Sequence, residues 1–247
     1  MPYPPSSAYT VRDQERMERA QRYFEWQKDL VLPQLGHRVL EIGWGVGNFT
    51  RMLLDRELVV GIDIDSQCVQ KHRERFADCP NVVSLEMDAA DGTIDGLEQY
   101  GLDSVVALNV LEHIANDQAA LESLWRLLPE GGRVVLIVPA FPLLSGPIDQ
   151  LLGHYRRYTK TTLRDLAARG GFDLPLVRYM NTVGFFGWWL NARMLKKTEQ
   201  SERQIAVFDS LIVPWLRRVE GLIPPPFGQS LFAVLRRRRA AAPTGSR

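Results

Sequence analysis

Short apolar runs alternate along the chain with amphipathic stretches, and most of the runs end on glycine or on an acid. Val39, Leu40 and Ile42 lead into glycines at 43, 45 and 47, then into Phe49, Met52 and Leu53, which predicts a buried strand, a tight turn and a helix. A second buried strand over 58–62 ends on Asp63, and a third over 82–87 alternates before meeting Asp88 and Ala89. A fourth over 104–108 reaches Asn109 and Val110, and a fifth over 134–139 follows Gly131 and Gly132. Between them the spacing predicts a helix begun by Asp65 with Val69, His72 and Phe76 on one face, and another over about 118–128. Thr159 is placed to cap a helix carrying Leu163, Leu166 and Ala167, and 174–180 and 230–235 read as a final pair of strands. Strand and helix in repetition predict an α/β protein with a parallel, doubly wound sheet.

Both flanks of this pattern are helical. Residues 1–9 are rich in Pro and Ser and read as an arm; from Thr10 a helix is expected, with Met17, Ala20, Phe24 and Val31 on one face, widened by Tyr23, Trp26 and Leu30 and closed by Pro33. Its aromatics either pack on the sheet or place Tyr9, Tyr23 and Phe24 over a ligand, and both can hold. About fifty residues separate the last two strands, too many for a bare connection, so this insertion must have structure of its own. Its apolar part, 183–195, is too short to cross a bilayer and is interrupted by Asn191 and Arg193. A helical lid or pocket wall is the preferred reading; an interfacial helix flanked by Lys196 and Lys197 is the other. The expected organisation is an arm and helical cover over 1–35, a core over 36–180, an insertion over 181–228, and a last strand with a basic tail over 229–247.

Composition narrows the class without choosing a substrate. The 247 residues suit one α/β domain with an appendage, 45% are hydrophobic and 24% charged, and 30 basic against 29 acidic residues leave a net charge of +1. Bulk charge therefore argues neither for nor against nucleic acid, and a small-molecule acceptor rather than nucleic acid is the expected partner. Cys68 and Cys79 lack Cys-x-x-Cys spacing, so neither a zinc site nor a disulfide framework is expected, and the Pro-rich N-terminus has no secretory apolar core. A cytoplasmic location is compatible with both.

The glycine turn carries the chemistry. Glycines permit positive φ and close approach of bare amides to a ligand. Dinucleotide sites prefer Gly-x-Gly-x-x-Gly, which would need glycine at 48, where the chain has Asn48. The pattern present, Glu41-x-Gly43-x-Gly45-x-Gly47, resembles the first motif of the class I S-adenosylmethionine-dependent methyltransferases. Asp103-Ser104-Val105 followed by Val110-Leu111-Glu112-His113 is similar to a second family segment, and the resemblance covers roughly 37–140. The segment from Gly153 to Tyr158 further resembles a bacterial small-molecule subgroup. The resemblance implies a Rossmann-like, doubly wound seven-stranded sheet, mostly parallel with an antiparallel last strand, and S-adenosylmethionine as cofactor. It implies that Glu41, Gly43, Trp44, Gly45 and Gly47 hold the methionine portion and that Asp88 with Ala89 reads the adenine, with Ile64, Asn109 and Val110 completing the site. Asp63, at the end of the adjacent strand, suits the two ribose hydroxyls of this cofactor or of NAD equally.

Methyl transfer from a sulfonium is an in-line displacement, so alignment and exclusion of water dominate, and no metal is expected. A base matters only where the acceptor must lose a proton. His154, with Tyr155 or Tyr158 nearby, is the expected base, and His113 the competitor beside Glu112. Trp44 departs from the family pattern, which has a small residue there; its indole is expected to turn outward, onto the N-terminal helix or into the acceptor pocket. Tyr9, Tyr23, Phe24, Tyr155, Phe185, Trp188 and Trp189 complete an expected aromatic pocket for a small aromatic or apolar acceptor. A nicotinamide-dependent oxidoreductase and a membrane-associated lipid-type methyltransferase are the alternatives, and the oligomeric state is left open.

Overall fold

The computed structural model describes residues 11, 14–90, 94, 96–195 and 202–238. Seven strands, β1 (Arg38–Ile42), β2 (Leu58–Asp63), β3 (Val82–Glu86), β4 (Ser104–Leu108), β5 (Arg133–Pro139), β6 (Phe172–Met180) and β7 (Ser230–Arg237), form one sheet in the order β3-β2-β1-β4-β5-β7-β6. Strands β1 to β5 pair in parallel, and β7 runs antiparallel between β5 and β6. The apolar runs are explained by burial on both faces. Leu40, Ile62, Val105 and Leu136 belong to one core cluster, and Val39, Val59, Val106 and Val135 to the cluster on the opposite face.

Helices begin where the side chains can cap them. Asp65 accepts from the amides of Gln67 and Cys68 at the head of α2 (Ser66–Arg75), Asn116 from Ala119 at α3 (Asp117–Leu127), and Thr159 from Thr162 at α5 (Lys160–Arg169). Helices α1 (Gln21–Val31) and α6 (Thr182–Leu190) receive carboxylates from the insertion. Asp209 accepts from the amides of Arg22 and Tyr23 at 3.2 and 2.8 Å, and Glu220 from those of Asn181 and Thr182, both at 2.9 Å. Both acids are buried. The insertion, which also carries α7 (Glu202–Val207) and α8 (Val213–Leu222) with π-helical turns before each, is thereby tied to the N-terminal helix and to the end of β6.

Two expected helices differ. The glycine turn leads only to a short 3₁₀ turn, Thr50–Met52, before β2. At the N-terminus, helical residues 14–17 are separated from α1 by a turn at Glu18 and Arg19, and Tyr9 lies outside the described residues, as do Lys196 and Lys197. Among the described residues no helix is long and apolar enough to cross a membrane.

Candidate active site

Parallel pairing brings the carboxyl ends of β1 to β5 to one edge, and the strand order reverses between β1 and β4, which opens a crevice there. Gly43, Gly45 and Gly47 all have positive φ, at 68, 58 and 82°. A Cβ on Gly43 would stand 2.5 Å from Val110 Cγ2, so the turn sits directly on the loop after β4. The amide of Gly45 donates to Asp63 Oδ2 at 2.9 Å, and the amide of Asp65 to Oδ1 at 3.0 Å. Each carboxylate oxygen keeps accepting capacity. Burial raises the Asp63 pKa, against these amide bonds. Ile64, the next residue, is 68% exposed. Asp88 Oδ1 accepts from the Ala90 amide at 2.7 Å, and Asn109, exposed and at φ 56°, donates its amide to Ile137 O. Two carboxylate oxygens for a vicinal diol, an uncovered apolar side chain for a flat base and a second acid beyond it fit the nucleoside half of S-adenosylmethionine.

Two members of the expected cofactor set are braces. Trp44 is 3% exposed, and its indole lies over Gly61 and stacks on His72 with ring centres 3.7 Å apart and planes 13° apart. The expectation of an outward ring is therefore corrected: Gly61 lacks the side chain that would exclude it, so the apolar ring turns under the loop. Glu41 is buried, and its carboxylate accepts from Thr50 Oγ1 at 2.7 Å; Thr50 Oγ1 lies 3.1 Å from His72 Nε2, and His72 Nδ1 2.9 Å from Ser84 Oγ. Burial pushes Glu41 up to about 8 and His72 down to about 3. The N-terminal segment covers the turn from outside: Asn48 Nδ2 donates to Gln14 O at 2.8 Å, and Val11 clusters with Val46 and Cys68.

Beyond β4 and β5 the loops converge on Asp149, which lies in α4 (Pro147–Leu151). His154 Nδ1 lies 2.9 Å from Asp149 Oδ1, Arg157 Nε donates to the same oxygen at 2.7 Å, and the Gly146 amide donates to Oδ2 at 3.0 Å. Trp188 Nε1 approaches that second oxygen at 3.4 Å, and Arg157 lies over its ring. Burial alone would raise the Asp149 pKa, but the bonds from His154 and Arg157 outweigh it and bring it to about 2. The His113 and His154 rings meet edge to face at 4.6 Å, and the Tyr155 amide donates to Glu112 O at 2.8 Å, joining the two loops. Glu112 is fully buried, which pushes it up to about 8. The two histidines that the sequence left as competitors thus share one cluster.

Tyr158 is held inside the protein by an acid of its own. It is 3% exposed, and its hydroxyl donates to Asp117 Oδ2 at 2.9 Å, an acid also paired with Arg156 at 2.6 Å; burial and that acid raise its pKa far above neutrality. Of the two readings open for Tyr23 and Phe24, the structure shows the packing one: Phe24 is buried in the cluster shared by α1, α8 and the sheet face, and Tyr23 packs against it. Phe185 instead meets Phe141, Phe186 and Phe227 at 5.5, 5.5 and 5.1 Å, and Phe141 stacks on Tyr179 at 4.8 Å. Tyr155 and Trp189 are exposed. Asp149, Phe141, Tyr179 and Phe227 escaped the sequence reading. Of these only Asp149 carried a signal, an acid five residues before His154.

Comparison with known proteins agrees with this fold. A family model described as a methyltransferase domain matches residues 40–134. An uncharacterized methyltransferase of Mycobacterium tuberculosis is 29% identical over 124 residues, covering 50% of this chain and 61% of that protein. A highly reducing polyketide synthase of Aspergillus carbonarius is 32% identical over 141 residues, 48% of this chain but 5% of its own length. The chain thus spans from about a twentieth to about three fifths of these two relatives. Among solved structures, a methyltransferase bound to the Haloferax volcanii Trm112 activator aligns with a TM-score of 0.67 at 18% identity over 95% of this chain and 96% of that one. An S-adenosylmethionine-dependent methyltransferase of Thermotoga maritima aligns at 0.61 with 16% identity, over 92% and 96%. The oxidoreductase alternative finds no favour in these matches. Residues 40–134 thus match a methyltransferase domain, and the chain has the fold of the S-adenosylmethionine-dependent methyltransferases, whose cofactor is S-adenosylmethionine.

Proposed function

We propose that the protein transfers a methyl group from S-adenosylmethionine to a small aromatic or apolar acceptor with an O, N or C nucleophile. The observation that carries this reading is the common edge of the sheet. Asp63 and Asp88 end β2 and follow β3, and the linked loops that hold His113 and His154 follow β4 and β5 at that same edge. The cofactor supplies an electrophilic methyl on a sulfonium. Asp63 takes the ribose hydroxyls, Ile64 lies against the base, Asp88 with Ala89 reads its edge, and the 43–47 turn, with Asn109 and Val110 beside it, lines the methionine portion. Trp44 and Glu41 hold that turn from beneath.

On the acceptor side, the partly exposed rings of Phe185, Phe186, Trp189 and Tyr155 offer flat apolar surface, and Trp188 ties α6 to the Asp149 cluster. The acceptor's proton, where there is one, is handled at His154 and His113. Asp149 fixes the His154 ring and thereby leaves Nε2 free to work. Incubating the protein with methyl-labelled S-adenosylmethionine and a panel of phenols, amines and quinone-type acceptors tests the reading. Label should move to at least one aromatic acceptor, and His154→Gln should slow that transfer by about 10²-fold with cofactor affinity nearly unchanged. Transfer to no acceptor, or only to charged polar ones, would overturn it.

A further inference from the structure

Glu112 is fully buried, yet neither of its carboxylate oxygens meets a hydrogen-bond donor among the described residues. A carboxyl group withdrawn from water without replacement bonds either keeps its proton or is completed by a cation that displaces it. Its surroundings supply the rest of a ligand set: one oxygen of Glu112 and one ring nitrogen each of His113 and His154 lie within 4.8 Å of one another. Asp149 Oδ1, 2.9 Å from His154 Nδ1, holds the proton on that nitrogen and leaves Nε2 with its lone pair, the carboxylate–histidine arrangement that orients a metal-binding imidazole. The backbone fixes the three residues relative to one another, through Tyr155 N to Glu112 O at 2.8 Å and His154 N to Asp149 O at 2.9 Å. His113 is exposed, so the cluster is open to solvent on one side.

We propose that Glu112, His113 and His154 form a site for a divalent cation of the Mn, Fe, Co or Zn class. Two imidazoles with one carboxylate favour these borderline ions over Mg or Ca, which prefer oxygen donors throughout. Three protein ligands leave coordination positions open. If methyl transfer is the activity, which this clause alone assumes, an acceptor oxygen in such a position would lose its proton more readily and His154 would act as ligand.

Tag-free protein, stripped with a chelator and titrated with Co²⁺, tests the site through visible absorption and calorimetry. The expected result is saturable binding of a single equivalent, abolished in Glu112→Gln and in His113→Ala, and weakened by about 10- to 100-fold in Asp149→Asn. His37→Gln, outside the cluster, should bind as the wild type does. Glu112→Gln alters a group whose carboxylate oxygens have no hydrogen-bond partner among the described residues, and His113 is exposed, so at least one of these variants should keep the wild-type circular dichroism. Absence of saturable binding, or binding undiminished in either folded variant, overturns the proposal. S-adenosylhomocysteine titrated into the same samples reports the cofactor site separately: its binding without Co²⁺ binding refutes the metal site alone, and the converse refutes the methyl-transfer reading alone.

Discussion

Trp44 and Gly61 should be energetically one unit. An ideal Cβ built on Gly61 would lie 1.5 Å from Trp44 Cε3 and 1.9 Å from Cζ3, so alanine at 61 and the observed indole cannot coexist. The ring is rigid and held on its other face by His72, and it must leave as a body. Truncating a buried tryptophan costs about 3–5 kcal/mol, and displacing it should forfeit much of the same packing, so Gly61→Ala should cost about 2 kcal/mol or more. In a Trp44→Ala background the clash is gone. There Gly61→Ala should be neutral or gain about 0.5–1 kcal/mol, since a strand glycine loses the most conformational freedom on folding. Urea denaturation of the four proteins, followed by far-ultraviolet circular dichroism, gives the coupling directly, and the midpoint temperature should fall by roughly 2–4 °C per kcal/mol in a domain of this size. Additive effects within about 0.5 kcal/mol would refute the packing argument.

Other perturbations follow from the same geometry. Tyr158→Phe should lower stability by about 1–2 kcal/mol through loss of the bond to Asp117, while single-turnover methyl transfer keeps its rate; a large rate loss in the folded variant would return Tyr158 to the chemistry. Glu41 has its pKa raised from 4.5 to about 8, so the stability it contributes is full below about pH 4.5 and declines as pH rises, until it is lost through the folded pKa near 8. Glu41→Gln should therefore flatten the fall in stability between those limits, and denaturation curves at pH 5 and 8 with an unchanged slope would refute a protonated Glu41.

How far the chain could be read depended on whether a signal was local. The strands, their order of motifs, and caps such as Asp65 and Thr159 follow from contiguous patterns, and so does the cluster of Asp63 and Asp88 at the strand ends. Trp44 was misread because its place is decided by a glycine seventeen residues away on the neighbouring strand. For Tyr23 and Phe24 two readings stayed open, because an amphipathic stripe does not say which face of a sheet it will meet. Asp209 and Glu220 cap helices far from them in sequence, and Phe227 reaches Phe185 across the insertion, contacts for which periodicity carries no trace. The edge-to-face pairing of His113 with His154 likewise arises only when the loops after β4 and β5 are joined.

In the proposed function cofactor recognition rests above all on Asp63, whose two oxygens are set by the amides of Gly45 and Asp65 at the mouth of the β1–β4 crevice. Isothermal titration of S-adenosylhomocysteine into the wild type and into Asp63→Ala measures that role without any knowledge of the acceptor. The account predicts saturable binding by the wild type and a loss of about 1.5–3 kcal/mol in the variant, tenfold or more in affinity, for the missing charge-assisted bonds. Absence of binding by the folded wild type, or equal affinity in a folded Asp63→Ala protein, would contradict it.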